Sequence, residues 1–515
     1  MTDLEKEVHT EAVADANISA DVISSHSEEK VYSDSNSEDY DMAFKFLKEN
    51  EEQDLKLKHQ ELPKSVLRKL DLVILPLLCA IYFFQFLDKT LLNYAASMGI
   101  KANLVGNQYA NLSTIFYASY IFGEPFVAYF LQRFPLSKTL GVFIVLWGIV
   151  VACHAATKTY AGLMIVRTLL GLFEASSAVA LIIISGMYYT KPQQVARMGY
   201  WSVMSGSATI VGGLLSFGFQ HVHTTRFVSW QILFLFMGII TAFFGIFVAF
   251  YLPDNVTSAW FLTDEEKILV LENIRANQTG TKTTKFKKEQ LFELLFKDKL
   301  TWPFFILTIT SQIVTGAIGT FSVTITLSFG FDNYESALLQ LPVGALIIII
   351  IIIATQLVSR YGHITYIATS MFIPTIIGAI VLLSTDLKRQ KVGNLLAMYL
   401  LYSGSCVITL IYAWIGANTA GTSKRFFRSA MTMIAFSIAS IIGPQLFQAY
   451  SYPAYHPAKI TILVTQVACV PLTLLVGYIC KKENEKRDQE QEAEPSNYEF
   501  LDLTDIQNRN FRYSY

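Results

Sequence analysis

The sequence predicts an all-α membrane protein of twelve transmembrane helices in two six-helix bundles, with both chain ends on one side. Three observations predict it. The 515 residues are 52% hydrophobic and only 16% charged, against about 25% charged in an ordinary soluble domain. Twelve apolar stretches are each long enough for a span of about 20 residues, and one polar stretch divides them six and six. Lys and Arg gather in alternate connections, as expected of loops retained on the cytosolic side.

Taken in order, residues 1–62 (DANISADVISSHSEEK, SDSNSEDYD) are acidic and Ser-rich with few large apolar side chains. Such a composition buries too little to order itself. Only Tyr40 to Asn50, with Met42, Phe44, Phe46 and Leu47, suggests a short helix, and no apolar h-region marks a cleavable signal peptide. The first bundle, 63–252, holds spans near 70–97, 107–132, 139–157, 160–189, 197–219 and 229–252. The central loop, 253–301, opens with a capping box, Thr263 with Glu266, before Ile268, Leu271 and Ile274 at helical spacing. A second amphipathic stretch, FKKEQLFELLFKDKLTW, carries Leu291, Leu294, Leu295 and Phe296; both read as surface helices beneath the membrane domain. The second bundle, 302–480, holds spans near 302–328, 336–359, 364–384, 393–416, 427–449 and 458–480, and 481–515 is a tail.

With both ends cytosolic, Arg133, Lys138, Lys191, Arg197, Arg360, Lys424, Arg425, Arg428 and Lys481 fall on that side. The sequons at Asn17, Asn255 and Asn277 then also face the cytosol and Asn111 lies inside a span, so no glycosylation is expected. The net charge of −1 gives no reason to expect nucleic-acid binding. Cys79, Cys153, Cys406, Cys469 and Cys480 form no CxxC and have no His nearby, and the His221/His223 pair lacks acids, so neither disulfide nor metal site is expected. There is no HExxH and no Walker loop, which argues against an enzyme or an ATP-driven pump.

The informative residues are Asp88, Lys89, Glu124, Arg167 and Glu174, all inside apolar stretches of the first half. A charge near the bilayer centre costs about 2.5–3.5 kcal/mol on insertion scales. It persists when it pairs or lines a polar cavity. The matching stretches of the second half carry no such charge, so the pattern is that of a pathway for a charged solute or proton, housed in one half and walled by the other. Arg167 and Glu174, seven apart, share a helix face; Asp88 and Lys89 diverge by about 100°. The bland alternative is an ion-pair network bracing spans 1 and 4. Glu124, beside Pro125, reads first as packing or gating support, as do Arg133 and Arg360 at the ends of spans 2 and 8. In the opposite half Gln312 and Tyr412 are the candidate substrate contacts, with Ser403, Thr409, Asn418 and Gln445 behind them; Tyr82, Phe86 and Phe173 read as packing.

FLDKTLLNYAASMGI in span 1, RTLLGLFEA in span 4, YLPDNVTSAWFLTDEEK after span 6 and FLDLTDIQNRNFRYSY at the end resemble the allantoate permease family. These are the fungal anion:cation symporters of the major facilitator superfamily. LLNYAASMGIK, VSWQILF and YLLYSGSCVIT are most similar to its thiamine pathway branch. RFPLSK after span 2 lacks the superfamily's usual Gly and Asp-Arg pair, so no gating salt bridge is carried over. The resemblance implies proton-coupled symport of a small monocarboxylate, linked to thiamine, vitamin or nitrogen nutrition. In it Arg167 and Lys89 bind the carboxylate while Asp88 and Glu174 exchange protons. Lys89 stands where Arg is common, and gives a point charge rather than a fork. An anion that takes over a cation leaves that cation's carboxylate to pick up a proton, so the two ligands favour each other. Exporter or exchanger with the same site, and nutrient sensor with little transport, are the competing readings. No cofactor is expected beyond the proton, and a monomer is expected, in the plasma membrane or the endoplasmic reticulum membrane.

Overall fold

The structure is a computed structural model that describes residues 62–222, 227–275, 287–385, 390–451, 455–489, 504–509 and 511–515. The helix expected at 40–50 lies outside the described residues. Eleven helices among these residues are long and apolar enough to cross a membrane. A further long helix, Gln108–Arg133, falls below that apolarity because Asn111, Ser113, Ser119 and Glu124 interrupt it, yet it packs among the rest. In order the spans are Lys64–Ala95, Gln108–Arg133, Leu136–Cys153, Tyr160–Tyr188, Ala196–Gln220 and Ser229–Tyr251. After the central stretch come Thr301–Ser328, Asn333–Tyr361, Ile364–Ser384, Lys391–Ala417, Thr422–Gln445 and His456–Gln489. They are called spans 1 to 12 below. Span 4 is two helices meeting at Ala175, and the last helix runs past Cys480 to Gln489.

Within a bilayer, small residues let helices approach closely where no hydrophobic effect drives them together. Gly141 and Gly148 on span 3 meet Ala249 and Ala242 on span 6, whose Gly238 and Gly245 meet Ala152 and Val145 in return. Across the halves, Gly206 of span 5 and Gly344 of span 8 rest on each other's carbonyl oxygens. Any Cβ at these points would overlap backbone.

The two halves repeat one fastening on the face that carries the termini. In the first, Asp71 at the start of span 1 takes a bidentate pair from Arg197 at the start of span 5, at 3.0 and 2.7 Å. In the second, Asp298 just before span 7 pairs with Arg428 at the start of span 11. Spans 1 and 7, and 5 and 11, correspond under a six-plus-six repeat. The central loop docks here as expected: the Thr263/Glu266 capping box forms, and Lys69 pairs with Glu266. The second stretch forms a helix, Lys288–Phe292, followed by a wider turn, Glu293–Lys297, with Leu294 buried and Phe292 and Phe296 exposed.

The LPDN segment is structural. Asp254 accepts from the Ser137 amide at 2.8 Å and its hydroxyl at 2.7 Å, capping span 3. The tail is structural too. Residues 504–515 lie across the ends of spans 10, 11 and 12: Asn418 exchanges hydrogen bonds with the Ser514 backbone at 2.9 and 2.7 Å, and the Trp414 indole donates to the Ser514 carbonyl. Asp505 reaches Lys424, which is fully buried and also pairs with Glu293 and Asp298 at 3.1 Å each. One ammonium thus joins the central loop, span 11 and the tail.

Removing one member of a buried ion network leaves its partners uncompensated and costs about 3–5 kcal/mol. Lys424→Met should therefore lower the thermal midpoint of the purified protein far more than Lys299→Met, whose partner Glu483 is a surface pair. The network also has an acid limit. Burial by itself would raise the Asp298 carboxyl, but Arg428 and then Lys424 outweigh it and hold the group below the usual carboxylate range. A depressed folded-state value contributes stability above the unfolded value of about 4 and loses it as pH falls through the folded value. The midpoint should drop steeply only below about pH 4, and Asp298→Asn should flatten that drop.

Candidate functional site

Between the halves lies a cavity of about 170 Å³ lined by spans 1, 2, 4, 5, 7, 8, 10 and 11. On the face opposite the termini it is sealed by polar contacts across the halves. Asn93 donates to Ser322 at 2.7 Å and accepts from the Val323 amide at 3.1 Å. Tyr109 donates to the Thr320 carbonyl at 3.0 Å, Lys101 to Thr324 at 2.6 Å, and Gln445 to Thr114 at 2.8 Å. Towards the termini Arg425 donates to Gln194 at 3.0 Å across the halves.

Lys89 and Arg167 both line this cavity. Span 4 begins at the Thr159 cap, and Arg167 lies two turns in, 2% exposed, its guanidinium 5.6 Å above the Phe234 ring. Its Nε and Nη2 have no hydrogen-bond partner among the described residues. The Lys89 ammonium sits 3.6 Å from Glu174 and 5.0 Å over the Tyr120 ring, with Phe436 of the opposite half at 5.9 Å. A cation over aromatic faces keeps part of its stabilisation without a fixed anion.

The carboxylates stand behind this front. Glu174 is fully buried and does not line the cavity itself, but pairs with Lys89, which does. Asp88 points away from the cavity and accepts from Thr241 of span 6 at 3.2 Å. Glu124 is 5% exposed, one turn beyond Tyr120 towards the termini. Span 4 can place Arg167 and Glu174 because Gly171, midway between them, packs on span 2; a Cβ there would strike the Phe116 carbonyl and the Ser119 hydroxyl.

Of the residues expected in the opposite half, Tyr412 and Thr409 line the cavity. Gln312 does not: it is fully buried inside its own bundle, where Thr315 donates to it at 2.7 Å, and Thr315 is the residue that reaches the cavity. Ser403 bonds Thr375 within the bundle, Asn418 holds the tail, and Gln445 belongs to the seal. Arg133 and Arg360 are exposed at their helix ends, away from the cavity. Tyr82 and Phe86, expected to pack, line the cavity, whereas Phe173 packs on Phe143. Gln85, Asn93, Tyr120, Gln340 and Tyr402 also line it and were not singled out; Tyr82, Phe86, Lys89 and Asn93 follow helical spacing, which was the available signal.

A model of the Major Facilitator Superfamily matches residues 78–487. The chain belongs to the major facilitator superfamily. Within it, this transporter is 62% identical to the thiamine pathway transporter of Saccharomyces cerevisiae, covering 93% of this chain and 95% of that one. It is 33% identical to the allantoate permease of the same yeast, over 87% and 85% of the two chains. The expected family is thereby shown, and the protein is an integral membrane transporter. A D-xylose-proton symporter shares the fold, with a TM-score of 0.60 at 12% identity over 79% of this chain and 97% of that one. A bacterial homologue of the lysosomal transporter Spinster, in an inward-facing conformation, does so with a TM-score of 0.56 at 14% identity over 78% and 96%.

Gly171→Ala should separate spans 2 and 4 and destabilise the transporter by about 1–3 kcal/mol, the range for overpacking. Gly186→Ala on the same span, where a Cβ meets nothing within 4 Å, should leave the thermal midpoint unchanged and serves as the control.

Proposed function

We propose that the protein imports a small organic monocarboxylate together with a proton, by alternating access between its two halves. The observation that carries this reading is Arg167: a buried guanidinium on the cavity wall whose Nε and Nη2 edge has no partner among the described residues. That edge matches the two oxygens of a carboxylate in a fork of parallel hydrogen bonds. Lys89, beside it, supplies a second positive charge.

Coupling follows from the Lys89–Glu174 pair. At 3.6 Å the two attract without a tight hydrogen bond. An anion that engages Lys89 competes with Glu174 for it, and a proton on Glu174 restores the balance. Substrate and proton then bind better together than apart, by linkage. Asp88, behind the wall, acts on the site through the field it shares with Arg167 and Glu174 rather than by touching substrate. The cavity's other wall supplies shape and neutral hydrogen bonds from Thr315, Thr409 and Tyr412. A relative named for the thiamine pathway points to a carboxylate of that metabolism. On this reading the Lys- and Arg-rich termini face is the cytosolic one, and the protein sits in the plasma membrane or the endoplasmic reticulum membrane.

The test is external pH in a weakly buffered suspension of expressing yeast as small carboxylates are added singly. One acid should alkalinise the medium. Losing a buried charge-assisted contact costs about 3 kcal/mol, so Arg167→Ala should cut uptake about a hundredfold. Glu174→Gln should abolish proton-driven accumulation and keep substrate exchange. Loss of both activities in Glu174→Gln, or uptake indifferent to Arg167, would overturn the proposal.

A further inference from the structure

Charge in the site does not balance. Asp88, Glu124 and Glu174 bring three carboxylates to a region that holds two cations, Lys89 and Arg167. All five are at least largely buried, and the walls around them are apolar or aromatic. A medium that cannot solvate ions does not keep an uncompensated carboxylate ionised; one of the three takes a proton instead.

The partners indicate which one. Asp88 accepts from Thr241 at 3.2 Å. Neither oxygen of Glu174 accepts a hydrogen bond among the described residues, but the Lys89 ammonium lies 3.6 Å away. Glu124 accepts no hydrogen bond from any described residue, and its Oε2 is buried without a partner. The titratable and charged groups that face it are Lys89 from span 1, Tyr120 from its own span 2 and Tyr412 from span 10. Lys89 is the one cation among them, and it already leans on Glu174.

We infer that Glu124 holds a proton of its own, distinct from the one that is transported, and that this resident proton makes the empty site electrically neutral. Glu124 is then a neutral hydrogen-bonding acid beside Lys89, not a third anion competing for it. The inference rests on the charge count and on Glu124 having, among the described residues, neither the donor that Asp88 has nor the ion pair that Glu174 has, and it stands or falls separately from the symport reading. Joined to that reading, it sets the exchange at one proton per monovalent anion: a neutral site that accepts one negative charge needs one further proton to be neutral again.

The experiment is infrared spectroscopy of the purified full-length protein in lipid nanodiscs at neutral pH without substrate. The wild-type spectrum should contain the carbonyl stretch of a protonated carboxylic acid. That band should be missing in Glu124→Gln, shifted in Glu124→Asp and retained in Glu174→Gln. Because Gln imitates the neutral acid in shape, Glu124→Gln should also unfold at the wild-type temperature, which separates loss of a proton from loss of the fold. A band that survives in Glu124→Gln but vanishes in Glu174→Gln would assign the resident proton to Glu174 and overturn the inference. A wild-type spectrum without the band would overturn it as well, since the site would then carry net negative charge. Neither result depends on identifying the substrate.

Discussion

Lys89 is the point on which the site turns. One ammonium stands between Glu174 and the rings of Tyr120 and Phe436, the last belonging to the opposite half. A tighter pair with Glu174 would be a brace, since a buried ion pair at hydrogen-bonding distance is costly to break. At 3.6 Å, over two aromatic faces, the ammonium is held but not committed. Arg167 is held in a similar way, by the face of Phe234, with its fork unused. Aromatic faces thus keep both cations in place without using the hydrogen bonds a carboxylate needs.

Such an arrangement requires rigid surroundings, because an unpaired buried charge will otherwise find a partner by moving the chain. The glycine contacts supply this. Gly171 fixes the distance of Arg167 and Glu174 from span 2, and the paired glycines of spans 3 and 6 fix the wall that carries Trp147, Phe234 and Thr241 behind Asp88. The Asp71–Arg197 and Asp298–Arg428 fastenings then make each half a unit at the termini face. The charges that stabilise the fold and those that form the site are therefore separate sets. The first form ion pairs at helix ends; the second are under-paired in the middle.

Sequence reading captured the spans, because hydropathy is the physical cause of membrane insertion, and it captured the five charges, because their cost makes them conspicuous. It was less able to sort the polar uncharged residues. Gln312 and Gln340 look alike in an apolar run, yet only Gln340 reaches the cavity. Which face of a helix meets the cavity depends on how neighbouring helices rotate, and a run that is apolar on all sides carries no phase. The tail was read as a tail and given no contacts, for a related reason. Asp505, Tyr513 and Ser514 show no periodicity, and their partners Lys424, Arg487 and Asn418 are distant in sequence. Of the four quoted family motifs, LPDN with its flanks and the described residues of the last one serve the scaffold; those in spans 1 and 4 carry the residues of the proposed site.

The two faces of the molecule differ in a way that bears on alternation. The seal opposite the termini consists of hydrogen bonds between uncharged groups, with Lys101 the one charged donor among those described above. Each such bond contributes modestly, because water replaces it when the gate opens. A seal of many weak, water-replaceable bonds opens without leaving a buried ion behind. The strong ion pairs at the termini face act mostly within a half, and Arg425 reaches across only to the neutral side chain of Gln194. Neither gate therefore needs a charge pair between the halves to break. In the proposed cycle the ionic cost is concentrated at Lys89, Arg167 and Glu174, where substrate and proton would meet it.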